Sequence, residues 1–172
     1  MQTVALIVIH VPTWVWGILA FVIVMGLLQS RDQQMARTRV LIVPLVWLGF
    51  GAWGVEQSFG LAALPLLAWG LGLAASLQLV RRSGWPGRVA FDAATNRFFV
   101  PGSWAPMALM MTIFVAKFAL GMSLGMRPAL AGSAVFAAGF SALFGALSGV
   151  FLGRSRNILA SAAAPRAVLG AA

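Results

Sequence analysis

The stretch from Ser103 to Arg127, SWAPMALMMTIFVAKFALGMSLGMR, leaves this chain few ways to fold. It is about one membrane thickness of apolar residues. One charge lies inside it, Lys117, the only lysine in the protein. A charge at the centre of a lipid-buried helix costs roughly 2.5–3.5 kcal/mol on insertion scales, so the fold has to answer it. Several other apolar runs approach or exceed about 18 residues, enough to cross ~30 Å of hydrocarbon. Only 9% of the 172 residues are charged and 61% are apolar, whereas a soluble domain carries about 25% charged residues. An integral membrane protein is expected, with no segment polar enough to form a soluble domain.

Residues Thr3 to Ile9 are apolar but too few to span a bilayer. Pro12 suits the first turn of a helix. Segment 2–11 therefore reads as an interfacial piece or as an extension of helix 1, which is expected over 12–29. Further spans are expected over 40–55, 61–80, 104–125 and 129–152. Between helices 3 and 4, Val89-Ala-Phe91 and Phe98-Phe-Val100 alternate like short strands. The Asx residues of Asp92 to Asn96 suit a turn between them. A small hairpin is expected over 88–100, with Ser103 as N-cap of helix 4. The tail, 154–172, is expected to be poorly ordered or to lie on the membrane surface.

The arginines set the orientation. With the N-terminus outside and the C-terminus in the cytoplasm, the inner loops and tail hold Arg31, Arg37, Arg39, Arg81, Arg82, Arg88, Arg97, Arg154, Arg156 and Arg166. The outer side holds Arg127 alone. This is the bias of the positive-inside rule. The expected fold class is thus an all-α bundle of five transmembrane helices, N-out and C-in, with a small cytoplasmic β-hairpin. The net charge of +9 is read as a topology signal and not as a nucleic-acid surface. There is no cysteine and one histidine, which excludes disulfides and thiolate metal sites. No catalytic, cofactor or metal residue stands out. The start lacks a basic n-region, so no cleavable signal peptide is expected. Richness in Ala, Gly and Arg points to a GC-rich bacterial genome, and so to the bacterial inner membrane.

Helix 5 repeats Ser133, Ala137, Ser141, Gly145, Gly149 and Gly153 every four residues. That places a small-residue stripe on one face, where helices in lipid approach closely. Gly121 and Gly125 give helix 4 a matching face, so helices 4 and 5 are expected to pack through them. A homo-oligomer interface, or one with another membrane protein, is the other use of such a stripe. Gly49-Phe-Gly51-Ala-Trp53-Gly54 matches GxGxxG, but it lies within an apolar helix without the preceding strand a dinucleotide site needs. Its glycines read as packing positions. Trp47 and Trp69 fall near mid-bilayer and read as core packing.

Lys117 needs a partner. Counting ~1.5 Å per residue from the inner face, Glu56 on helix 2 reaches nearly the same level as Lys117. Asp32 and Asp92 fall on the wrong side of the membrane. A Glu56–Lys117 pair is expected, with His10 entering nearby.

Three motifs carry a resemblance. They are His10-Val-Pro12-Thr13-Trp14-Val15-Trp16, Phe99-Val100-Pro101-Gly102-Ser103-Trp104 and Phe151-Leu152-Gly153-Arg154. Together the chain resembles a family of small bacterial inner-membrane proteins catalogued only as a domain of unknown function. The resemblance implies a polytopic membrane protein and carries over no activity, cofactor or site.

From the residues, the first expected function is a non-catalytic accessory or sensing component in the lipid bilayer. The second is a small transporter or channel working through Glu56 and Lys117. A membrane-embedded enzyme is the weakest reading, since no nucleophile–base spacing is present.

Overall fold

A computed structural model describes residues 12–163. In it the chain forms α1 (Thr13–Gln29), β1 (Gln33–Ala36), α2 (Arg37–Phe59), α3 (Ala63–Ser83), β2 (Ala90–Asp92), β3 (Arg97–Val100), α4 (Ala105–Met126) and α5 (Ala134–Ala163). A short 3-10 turn, Pro128–Gly132, joins α4 to α5. Four helices, α2 to α5, are long and apolar enough to cross a membrane, as a membrane protein requires. Helix α1 has 17 residues, about 25 Å at 1.5 Å per residue.

The helix boundaries follow local chemistry. Pro65 and Pro106 sit in the first turns of α3 and α4, where the missing N–H is no loss. Gly84 ends α3 in the left-handed conformation, at φ 67°, a position glycine fills without steric cost. Ser103 Oγ accepts the Ala105 N–H at 3.2 Å. The helix begins at Ala105 and Trp104 takes the cap position, so Ser103, the expected N-cap, stands one residue outside it.

The closest helix pair is α3 with α5. A side chain at Gly145 would strike the Trp69 carbonyl, and one at Gly149 would strike Ser76 and the Leu73 carbonyl. One at Gly153 would meet Val80, and one at Gly72 would meet the Ala142 carbonyl. The helix 5 stripe is therefore used within the chain, against α3, with Ser141 fully buried on it. The expected contact with helix 4 through Gly121 and Gly125 does not form. A Cβ at either glycine would meet nothing within 4 Å. The physical reason is complementarity: Gly72 and Ser76 recur at four residues on α3, and two small faces permit the closest backbone approach.

At one end of the bundle lies a three-stranded antiparallel sheet of order β1-β3-β2. The expected hairpin is its β2–β3 half. In the turn, Asp92 accepts from the Ala94 N–H at 3.0 Å and from Thr95 Oγ1 at 2.7 Å. Asn96 takes φ 53°, which Asn tolerates. The third strand, β1, comes from the loop between α1 and α2 and pairs Gln33 with Val100 through Ala36 with Arg97. Asp32 anchors it by accepting the Gly102 N–H at 2.7 Å.

The tail is also different from expectation. Helix α5 runs on to Ala163, because the sheet gives it something to bury. Ile158 packs with Met35, Val40, Phe98 and Val100 in one core. The Asn157 amide donates to the Val80 and Trp85 carbonyls at 2.9 and 2.8 Å, satisfying the end of α3. Residues 164–172 and 2–11 lie outside the described residues.

Gly145→Val and Gly149→Val are each expected to destabilise the detergent-purified protein by about 1–3 kcal/mol through overpacking. Gly121→Ala and Gly125→Ala should stay within about 0.5 kcal/mol of wild type. Thermal unfolding checks both; equal losses at all four glycines would contradict the α3–α5 assignment.

Candidate functional site

Helices α1 and α4 touch at the sheet end and part toward the other. At Gly26 a side chain would collide with Met107. Three residues on, the Gln29 amide reaches the Met110 sulfur at 3.8 Å. Beyond that contact the helices enclose a groove of about 560 Å³. On α4 it runs from Met110 to Met122, about 18 Å of helix. On α1 it runs from Pro12 to Val22. Trp47 of α2 closes its back, held by stacking on Phe151 with centroids 5.3 Å apart and planes at 9°. Its lining is apolar apart from Lys117.

Lys117 also lines a second cleft of about 40 Å³ between α2, α4 and α5, with Trp47 and Ile113 shared between the two. Its ammonium lies 4.5 Å from the centre of the Phe144 ring and directly against Gly54, where a side chain would displace it. A cation over an aromatic face gains about 0.5–2 kcal/mol, more when water is excluded. That offsets part of the cost of the charge and leaves the ammonium without an anion. The residue as a whole remains exposed on the surface of the chain.

The expected Glu56–Lys117 pair is not formed. Among the described residues Lys117 makes no salt bridge, and its near neighbours are the Phe144 ring and Gly54. Glu56 follows Gly54 by two residues, a rotation of about 200° around the helix. With Gly54 turned to α4, Glu56 faces away. The level of the two residues was legible from helix rise; the azimuth was not. His10, the expected third member, lies outside the described residues.

Other donors stand close by. Ser148 Oγ borders Gly51 and lines the smaller cleft. The Trp69 Nε1 and Ser141 Oγ are buried without hydrogen-bond partners. Trp69 packs in the core, as expected, while Trp47 faces the groove. Gly51 and Gly54 pack closely, as the glycine run implied, but Gly49 meets nothing within 4 Å. Phe144 and Gly54 were missed as Lys117 contacts. A glycine near the level of an intramembrane lysine was the available signal. Among the described residues no group of three His, Cys, Asp or Glu gathers where a metal would bind.

In a double-mutant cycle, Lys117→Met with Glu56→Gln should be additive within about 0.5 kcal/mol. Lys117→Met with Phe144→Leu should couple by about 0.5–2 kcal/mol. Chemical unfolding in detergent reads both; strong coupling only in the first cycle would restore the ion pair.

No curated protein and no solved structure matches this chain. The family model that does match spans residues 1–168, nearly the full length, and the chain belongs to that family of unknown function, DUF6622.

Proposed function

We propose that this chain is a multi-pass protein of a bacterial inner membrane that binds an anionic amphiphile and acts as a non-catalytic sensing or accessory component. In this reading α1 crosses as a fifth span. The sheet lies in the cytoplasm, with the arginines of its loops and Arg127 on opposite sides. The carrying observation is the α1–α4 groove: an apolar slot of about 560 Å³ with one cation on its wall. The groove walls suit an acyl chain. Lys117, meeting a ring and no carboxylate, suits a carboxylate head group, since charge-assisted pairs are the strong ones at low dielectric. Ser148, which lines the smaller cleft with Lys117, adds a hydroxyl that favours a ligand group able to accept hydrogen bonds.

The alternative, a small transporter or channel using Glu56 and Lys117, has less support. Its ion pair is not made, and no acidic residue lines the groove.

Oleate is the probe. Native mass spectrometry of the purified protein should show oleate retained by wild type and weakened about tenfold, or ~1.4 kcal/mol, by Lys117→Met. Gly121→Leu, which fills open space in the groove, should weaken it as well. Oleate binding unchanged in both variants would overturn the reading. So would cross-links from residues 2–11 to Gly121 with no bound amphiphile, which would make the chain its own occupant. For orientation, an alkaline phosphatase fusion should be active after Arg127 and inactive after Ala163; the reverse pattern inverts the topology.

A further inference from the structure

A second, separate cleft lies at the sheet end of the bundle, where the apolar spans give way to loops. It measures about 50 Å³ and is lined by Gln29 at the end of α1, Arg39 in the first turn of α2, and Arg154 and Ser155 of α5. Two arginines therefore share one cleft, and no Asp or Glu lines it.

Arg154 is the more telling of the two. Its Nε is buried with no hydrogen-bond partner. Its guanidinium lies 5.2 Å from the Trp85 ring centre, which supplies a π face but no lone pair directed at an N–H. Buried donors are nearly always paired, so this one is an exception that asks for an acceptor. The chain has three acids to offer: Asp32 is engaged by the Gly102 N–H, Asp92 by the Ala94 N–H and the Thr95 hydroxyl of the β2–β3 turn, and Glu56 lies near the opposite end of α2.

We propose that Arg39 and Arg154 form a binding site for a phosphate group, with Gln29 and Ser155 as additional hydrogen-bonding groups. A phosphate oxyanion accepts two parallel N–H bonds from a guanidinium fork. It also relieves the repulsion between two cations in one cleft. Its source is either a phospholipid head group or free phosphate. On the five-span reading the cleft stands near head-group depth, where α1 ends and α2 begins. Met110 lines both this cleft and the α1–α4 groove, so an acyl chain attached to the phosphate has an apolar path to follow. The site takes phosphate at the membrane boundary and does not depend on Lys117.

The test uses the full chain in detergent. Dioleoyl phosphatidic acid and dioleoylglycerol, which differ by the phosphate, are compared by native mass spectrometry; inorganic phosphate is titrated by calorimetry. Phosphatidic acid should bind at least about tenfold more tightly than dioleoylglycerol, a difference of ~1.4 kcal/mol. Arg39→Gln, at an exposed position, should remove most of that preference. Arg154→Lys should weaken it by keeping the charge and losing the fork. Arg156→Gln, an exposed arginine of the same helix, should leave it unchanged. Binding of inorganic phosphate that Arg39→Gln abolishes, and that displaces phosphatidic acid, also supports the site and identifies free phosphate as its ligand. Equal binding of the two lipids with no phosphate binding overturns the proposal, and so does a preference for phosphatidic acid that survives Arg39→Gln. Loss of the preference in Arg156→Gln as well would reduce it to general surface charge and overturn it too.

Discussion

The close approach of α3 and α5 is the contact on which the rest of the bundle depends. In lipid, apolar side chains gain little by meeting each other instead of acyl tails. What holds helices together is the number of atoms in van der Waals contact, and that rises when backbones come near. Gly72 on α3 and Gly145, Gly149 and Gly153 on α5 remove the side chains that would hold the two helices apart. Once that pair is set, α5 carries the core. It presents Phe144 and Leu147 to α2 and α4, in a cluster with Val55, Ala116 and Leu120. Its extension carries Ile158 to the sheet.

The groove and the clefts arise where this close packing stops. Helix α1 meets α4 tightly only near Gly26 and Met107. The parting of the two helices leaves the groove, and Trp47 forms its wall because Phe151 fixes the indole by stacking. Lys117 sits at the meeting point of groove and core. Its ammonium rests on Phe144 where Gly54 leaves room. A ring softens the electrostatic cost of the charge without cancelling it, which is the condition under which an anionic ligand gains affinity. At the sheet end, Arg39 and Arg154 repeat the theme with two cations and a smaller cleft.

The sheet shows how local and distant information divide. Its hairpin was readable because Phe91, Phe98 and Val100 alternate about an Asx turn, a pattern contained in a dozen neighbouring residues. Strand β1 was not readable. Gln33-Gln34-Met35-Ala36 has one large apolar residue and no strand periodicity. It becomes a strand because β3 offers it a free edge and Asp32 ties it to Gly102. The same sheet turns the expected tail into helix: Ile158 has a core to enter only when β1 and β3 are in place.

The sequence alone determined the membrane character, the approximate positions of the helices, the hairpin, and the level of Lys117 and Glu56 along their helices. These depend on run length, proline and glycine placement and helix rise, all of them properties measured along one dimension. Only the tertiary structure decided which faces meet. The glycine stripe on α5 was visible, but its partner was α3 and not α4. Lys117 stood near the level of Glu56 but met Gly54 and Phe144. The reason is rotational. Helices α2 to α5 are apolar around their circumference, with large exposed side chains such as Leu45, Leu67, Val115 and Val135. An amphipathic helix in water announces its buried face; a helix in lipid does not. Its orientation about its own axis is set by the shape of its neighbours, and that shape exists only once they are packed together.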